Sequence, residues 1–251
     1  MSRAKGFSFG GPARGWLVAV AISVMVVFVG CDGGNNNPGN QGGGGGSQFN
    51  PDINYGSLTD TRDGKTYRTV VIGSQTWMAE NLNYNASGSV CYSKQESNCN
   101  TYGRLYNWAT VMNVASSSIS SPSGVRGVCP EGWHVPSDAE WEILVKYVDS
   151  NAPGNYDNNA GTKLRSKSGW YNNVNGTDDY GFSALPGGYG GTGGNFFSAG
   201  YYGVWWSATE FDAADAWYWD MSYINGYVDR GNSYKAHLLS VRCVRDSAAP
   251  Q

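Results

Sequence analysis

Five cysteines, two histidines and a spread of aspartates are the residues of this 251-residue chain whose types and spacing could do chemistry. Cys129 opens the phrase Cys129-Pro130-Glu131-Gly132-Trp133-His134-Val135-Pro136-Ser137, and Cys243 lies in Ser240-Val241-Arg242-Cys243-Val244-Arg245 near the end. Read as a pair, they form a clasp closing a whole domain, which is chemistry for compartments outside the reducing cytosol. Zinc is a poor alternative, because there is no CxxC and the two histidines, His134 and His237, lie far from Cys91 in sequence. His134, between Trp133 and Val135, reads as a structural hydrogen-bonding group rather than a general base. No Walker loop, HExxH or GxSxG elbow occurs. The run Gly188-Tyr189-Gly190-Gly191-Thr192-Gly193 matches GxGxxG without the strand-to-helix setting a dinucleotide needs, so it reads as a flexible glycine loop. The expected class is therefore non-enzymatic.

Two sets of residues remain for ligands. Asp157, Asp178 and Asp179 are candidate oxygen ligands for calcium, the one metal the sequence leaves open. Asp149-Ser150-Asn151 begins like an EF-hand loop, but Pro153 takes a ligand position and Ala160 stands where a bidentate glutamate is required. Tyr189, Phe196, Phe197, Tyr201 and Tyr202 lie in a glycine-rich stretch, and exposed aromatic faces there can stack on sugar rings without calcium. Trp205, Trp206, Trp217 and Trp219 are expected to pack a sheet instead.

The elements that must position these residues follow from pattern. Arg3, Lys5 and Arg14 head an apolar run from Trp16 to Gly30, interrupted only by Ser23 and too short for a comfortable membrane span. This reads as a signal peptide over residues 1–30, and Phe28-Val29-Gly30-Cys31 resembles a bacterial lipobox, with Phe28 in place of the usual leucine. Cys31 is then the lipidated first residue of the mature protein, and an even four cysteines remain for disulfides. Residues 31–50 are a flexible tether rich in Gly and Asn, with a root-mean-square reach of roughly 25 Å. Residues 51–247 form one domain. The chain carries 17 Lys and Arg against 20 Asp and Glu, and three of the basic residues belong to the leader, so the domain lacks the basic face that nucleic acid requires.

Within the domain, Lys65 to Ile72 and Gln75 to Met78 read as a hairpin around Gly73-Ser74. Tyr102 to Val114 reads as a helix with Leu105, Trp108, Ala109 and Met112 on one face. Ser137 to Val148 is a second helix, with a capping box from Ser137 and Glu140 and an apolar stripe of Trp141, Leu144, Val145 and Val148. Long loops follow from Asp149 to Gly200, broken by a short helix near Thr162 to Lys167. Strands are expected near Val204 to Thr209, Ala216 to Tyr223 and Leu238 to Arg245, the middle one alternating as a half-buried strand. The fold class is α+β: a twisted antiparallel sheet with two helices and long loops, stabilised by disulfides.

Seven phrases occur in order: Asp63-Gly64-Lys65-Thr66-Tyr67, Gln75 to Leu82, Tyr102 to Trp108, the Cys129 phrase, Gly181 to Gly188, Trp206 to Glu210, and Ser240 to Cys243. In these the chain resembles the Fibrobacter succinogenes major paralogous domain over about residues 52–246. The resemblance implies a C-type-lectin-like fold in secreted and lipidated bacterial proteins, with a disulfide tying a helix region to the last strand. It implies little about activity. The calcium-bridging tripeptides of sugar-binding lectins, Glu-Pro-Asn and Gln-Pro-Asp, are absent. Of the three pairings that Cys91, Cys99, Cys129 and Cys243 allow, spacing favours a small Cys91–Cys99 loop, which leaves Cys129 with Cys243. The leading expectation is an extracytoplasmic recognition or adhesion lipoprotein, lipid-anchored at the bacterial outer membrane or cell surface. Its expected partners are the membrane and a polysaccharide or envelope protein. A structural envelope or surface-coat lipoprotein is second. An extracellular hydrolase is third, because no paired carboxylates stand out.

Overall fold

A computed structural model describes residues 48–150 and 159–245, so the leader, Cys31, most of the tether and Asp157 lie outside the described residues. The described part is mixed α and β, mostly strands with few helices, and it holds two five-stranded sheets where a single sheet is expected from sequence. The first sheet has the order β1-β2-β3-β10-β4. Its strands are β1 (Gly56–Thr59), β2 (Thr66–Ile72), β3 (Gln75–Met78), β4 (Trp133–His134) and β10 (Val244–Arg245). The β2–β3 hairpin forms where its β-branched runs flank Gly73-Ser74, with Val70 opposite Trp77. β10 enters between β3 and β4, pairing Val244 with both Trp77 and His134.

The second sheet has the order β6-β5-β7-β8-β9, from β5 (Gly187–Gly190), β6 (Phe196–Ala199), β7 (Tyr202–Glu210), β8 (Asp215–Ser222) and β9 (Val228–Tyr234). All pairs are antiparallel except β5 with β7, which run parallel. The first half of the glycine run, Gly188 to Gly190, is therefore strand, and Gly191 to Gly193 belong to the turn into β6. A Cβ at Gly188 would lie 2.3 Å from the Phe197 carbonyl oxygen, and one at Gly190 would lie 2.9 Å from Leu238, so only glycine lets these neighbours approach. β8 is covered on both faces rather than half-buried: Ala216 and Tyr218 join one core, Trp219 and Met221 the other. Of the expected final strand, only Val244 and Arg245 form a ladder; Leu238, Leu239 and Ser240 make isolated bridges to Gly190, Tyr106 and Trp205.

Four α-helices accompany the sheets: α1 (Glu96–Tyr102), α2 (Trp108–Met112), α3 (Asp138–Val148) and α4 (Ala160–Leu164), the last close to the short helix expected near Thr162 to Lys167. The long helix expected from Tyr102 is two short ones. Gly103, at φ +75°, ends α1, because a Cβ there would lie 2.9 Å from the carbonyl oxygens of Asn81 and Leu82. Leu105 and Tyr106 bridge to Val90 and Leu239, and Asn107 restarts the helix by accepting from Thr110 N at 2.8 Å. α3 forms as its pattern dictates: the Ser137 side chain accepts from Glu140 N at 3.2 Å and Glu140 Oε2 accepts from Ser137 N at 3.0 Å. Its buried stripe sets Trp141 among Trp77, Phe182, Trp205 and Trp219, with ring centroids 4.9, 5.9, 6.0 and 6.3 Å away. Rings at these separations add about 0.5–1.5 kcal/mol per pair beyond their area.

Both disulfides form as spacing favours. Cys91–Cys99 closes the loop that carries α1, and Cys129–Cys243 joins the turn before β4 to the residue before β10. The clasp lies directly beside the Val244–His134 and Arg245–Trp133 ladder pairs, so covalent and hydrogen-bonded closure act at one place. Among the described residues, no helix is long and apolar enough to cross a membrane.

Candidate functional site

The sequence phrases turn out to bind one another. Asn81 Oδ1 accepts from Trp205 Nε1 at 2.8 Å and from Arg242 Nη2 at 2.8 Å, while its Nδ2 donates to the Tyr102 carbonyl at 2.8 Å. Arg242 is wholly buried, donates through Nη1 to the Phe182 carbonyl, and lies 4.2 Å over the Phe182 ring. Burial pushes its guanidinium down to about 9. Tyr106 donates to the Tyr84 carbonyl at 2.7 Å, and Trp206 Nε1 donates to the Tyr106 carbonyl at 2.8 Å. His134 is buried with Nε2 at 2.7 Å from Glu140 Oε1, and Glu140 Oε2 also accepts from Ser123 N at 3.1 Å. These polar atoms are saturated inside the domain, which makes them scaffold. The sequence names most of these residues, but apart from the capping box at Ser137 and Glu140 it does not show their partners, since most of the contacts join segments far apart in the chain.

Of the three candidate calcium ligands, the two described, Asp178 and Asp179, have different surroundings. Asp178 is buried, with Oδ1 accepting from Ser183 N at 2.7 Å and Oδ2 from the Ser183 hydroxyl at 2.7 Å and Asn50 N at 3.2 Å. Burial pushes its carboxyl up to about 6 against those hydrogen bonds, and its role is to pin the entering chain at Asn50. Asp179 is exposed and lines an open groove of about 490 Å³ beside Ile53, Val71, Thr76 and Arg245. Asp157 lies outside the described residues. Among the described residues, the one group of three potential metal-binding side chains is Cys91, Glu96 and Cys99, two of which are the disulfide. A disulfide sulfur is not a thiolate ligand.

The five aromatic candidates separate into two groups. Tyr189 on β5 pairs with Phe197 on β6, their rings stacked at 5.4 Å, and Phe197 is 44 % exposed. Phe196 packs on Tyr92 at 5.3 Å, so the Cys91–Cys99 loop buttresses the same strand. Tyr202, at the start of β7, packs half-buried on the same core as Tyr189. Tyr201 instead stacks on Tyr171 at 4.5 Å and meets Tyr223 edge-on at 5.3 Å. Trp205, Trp206 and Trp219 pack the sheet as expected, and Trp217 is half-buried under the Arg230 guanidinium at 3.6 Å.

A feature that sequence reasoning missed adjoins the first aromatic group. Asp220 on β8 and Asp229 on β9 are direct cross-strand partners. Burial first, then the charge of Asp229, pushes the Asp220 carboxyl up to about 8, and burial raises Asp229 as well. Tyr218, two residues from Asp220 on the same face, is 7 % exposed. Its hydroxyl is raised by burial and by the charges of Asp220 and Asp229. Among the described residues, none of these three side chains has a hydrogen-bond or ion-pair partner. Asp220 is legible in sequence as a polar member of an alternating strand; its pairing is not, because β9 has no strand pattern of its own.

Comparison with curated proteins and with solved structures finds no match to this chain. The sequence model of the Fibrobacter succinogenes major domain matches residues 70–245, most of the chain, with all of the second sheet and the first sheet apart from β1 and the start of β2, and the chain belongs to that family.

Proposed function

We propose that this protein is a lipid-anchored, non-enzymatic recognition lipoprotein of the bacterial outer membrane or cell surface. Its C-type-lectin-like domain binds polysaccharide through the aromatic surface of β5 and β6. The observation that carries this reading is Phe197, 44 % exposed on the edge strand β6 and braced from beneath by Tyr189. A rigid, exposed ring backed by a second ring is a platform for the apolar face of a sugar, and it loses little conformational entropy on binding. The saturation of the motif residues supports the same reading, since it leaves Glu140, His134 and Arg242 no free valence for catalysis. The tether before residue 51 allows a domain anchored at Cys31 to sample its surroundings.

The test is co-sedimentation of the full-length chain with insoluble polysaccharides, with and without calcium. Binding is expected without calcium and should fall about tenfold in Phe197→Ala, a substitution on an exposed ring that leaves the unfolding transition nearly unmoved. Retention of full binding in Phe197→Ala would remove the aromatic platform from the account. Mass spectrometry of the mature protein, expected to begin at an acylated Cys31, checks the anchor.

A further inference from the structure

The register of the second sheet places the aromatic platform and the carboxylate pair in one line. Phe197 pairs with Tyr189, the parallel bridge of Gly188 to Gly203 sets Tyr189 alongside Val204, Val204 pairs with Asp220, and Asp220 pairs with Asp229. Cross-strand partners share a face, so this is a single row across five strands, about 19 Å long at about 4.8 Å per strand. Tyr202 and Tyr218 flank it on the same face, two residues either side of the Val204–Asp220 pair.

We propose that Asp220, Asp229 and Tyr218 form a subsite for the ammonium group of an amino sugar whose neighbouring ring rests on Tyr189 and Phe197. The inference rests on the polysaccharide reading above and names its ligand class. Two carboxyls directly opposite in a ladder resist ionising together in the free protein, whereas the buried carboxylates of Asp178 and Glu140 have hydrogen-bond partners. Here the carboxylates have none among the described residues. The Tyr218 hydroxyl, on a side chain more than nine-tenths buried, is also unpartnered. Its position is set by Gly231, the cross-strand partner of Tyr218: a Cβ there would lie 2.6 Å from both Tyr218 Cζ and the hydroxyl oxygen. The ring therefore lies across β9 over Gly231, with Asp229 two residues along the same face.

The three groups together offer oxygen acceptors and negative charge. A primary ammonium brings three N–H donors and one positive charge, and the adjoining tyrosine faces favour a cation. Calcium is a worse fit, since it takes six to eight oxygen ligands and the site offers two carboxylates and one phenol.

The test uses the full-length chain, with calorimetric titration against soluble β-1,4-linked oligomers of glucosamine, N-acetylglucosamine and glucose. The glucosamine oligomer is expected to bind at least about tenfold more tightly than the other two. Asp220→Asn, Asp229→Asn and Tyr218→Phe should each reduce that preference, leave weak binding of the neutral oligomers in place, and retain the wild-type circular dichroism. Tyr218→Phe keeps the ring over Gly231, so it reads the hydroxyl alone. Equal binding of all three oligomers, unchanged by the Asp→Asn substitutions, would overturn the subsite and leave the polysaccharide reading standing. Binding of none would overturn both. Shortening of the glucosamine oligomer during incubation, or calcium binding lost in Asp229→Asn without any amine preference, would equally overturn the ammonium assignment.

Discussion

Replacing Cys129 and Cys243 together by alanine, and separately Cys91 and Cys99, perturbs two loops of very different size in one domain. The first disulfide spans a sequence separation of 114 and the second a separation of 8. The chain-entropy relation assigns about 4.8 kcal/mol to the long loop and about 2.5 kcal/mol to the short one at 25 °C. All four cysteines are at most 4 % exposed, so alanine removes a similar buried sulfur from each pair and the packing losses largely cancel in the comparison. Equilibrium urea unfolding of the full-length chain, with intrinsic tryptophan fluorescence as the signal, should therefore show the Cys129/Cys243 variant less stable than the Cys91/Cys99 variant by about 2 kcal/mol. The tryptophan cluster around Trp141 makes that signal report the shared core. Equal losses, or a larger loss from the short loop, would refute the view that the clasp acts by restricting the unfolded chain. It would point instead to local packing around α1.

Asp220→Asn should stabilise the protein in alkali. A carboxyl whose folded pKa is raised contributes stability fully below its unfolded pKa, near 3.9, and that contribution is lost as pH rises through about 8. Because Asp220 is only half-buried, the effect is set at roughly 1–3 kcal/mol at pH 9. Thermal unfolding at pH 5, 7 and 9 checks it, and parallel curves for wild type and variant would count against the paired-charge account. Glu140→Ala should cost about 3–5 kcal/mol by urea unfolding, because it removes the capping acceptor of α3 and strands the buried His134 and Ser123 N together.

Legibility in the sequence followed the range of the interaction. The β2–β3 hairpin and α3 rest on contacts within a few residues, a turn at Gly73-Ser74 and a capping box at Ser137, and both stand where their patterns place them. The helix expected from Tyr102 fails because Leu105 and Tyr106 are claimed by Val90 and Leu239, partners that periodicity cannot see. β9 was invisible for a related reason. Its sequence, Val228-Asp229-Arg230-Gly231-Asn232-Ser233-Tyr234, has neither alternation nor β-branched enrichment, and it is a strand because β8 supplies a seven-residue ladder. With β9 unseen, the second sheet, the pairing of Asp220 with Asp229 and the lie of Tyr218 over Gly231 were all out of reach. The sequence groups the five aromatic candidates in one stretch, and only the register divides Tyr201 from Tyr189 and Phe197.

The residues that identify the family and those proposed to bind the ligand lie in different stretches of the chain, for a physical reason. The phrase residues Asn81, Tyr106, Phe182, Trp206 and Arg242 spend their hydrogen-bonding groups on one another across the gap between segments, which fixes the two sheets and closes the domain at Cys129–Cys243. A group satisfied in this way cannot serve a ligand without opening the core, at a cost of about 1–3 kcal/mol for each buried bond broken. Residues 211–239, between the phrases ending at Glu210 and beginning at Ser240, also supply core side chains such as Trp219 and Leu239, but among the described residues Tyr218, Asp220 and Asp229 there have no hydrogen-bond or ion-pair partner. The row therefore joins a rigid aromatic end to an electrostatically frustrated one. Exchanging Asp220 or Asp229 should alter which saccharide is held while leaving the fold that presents it intact.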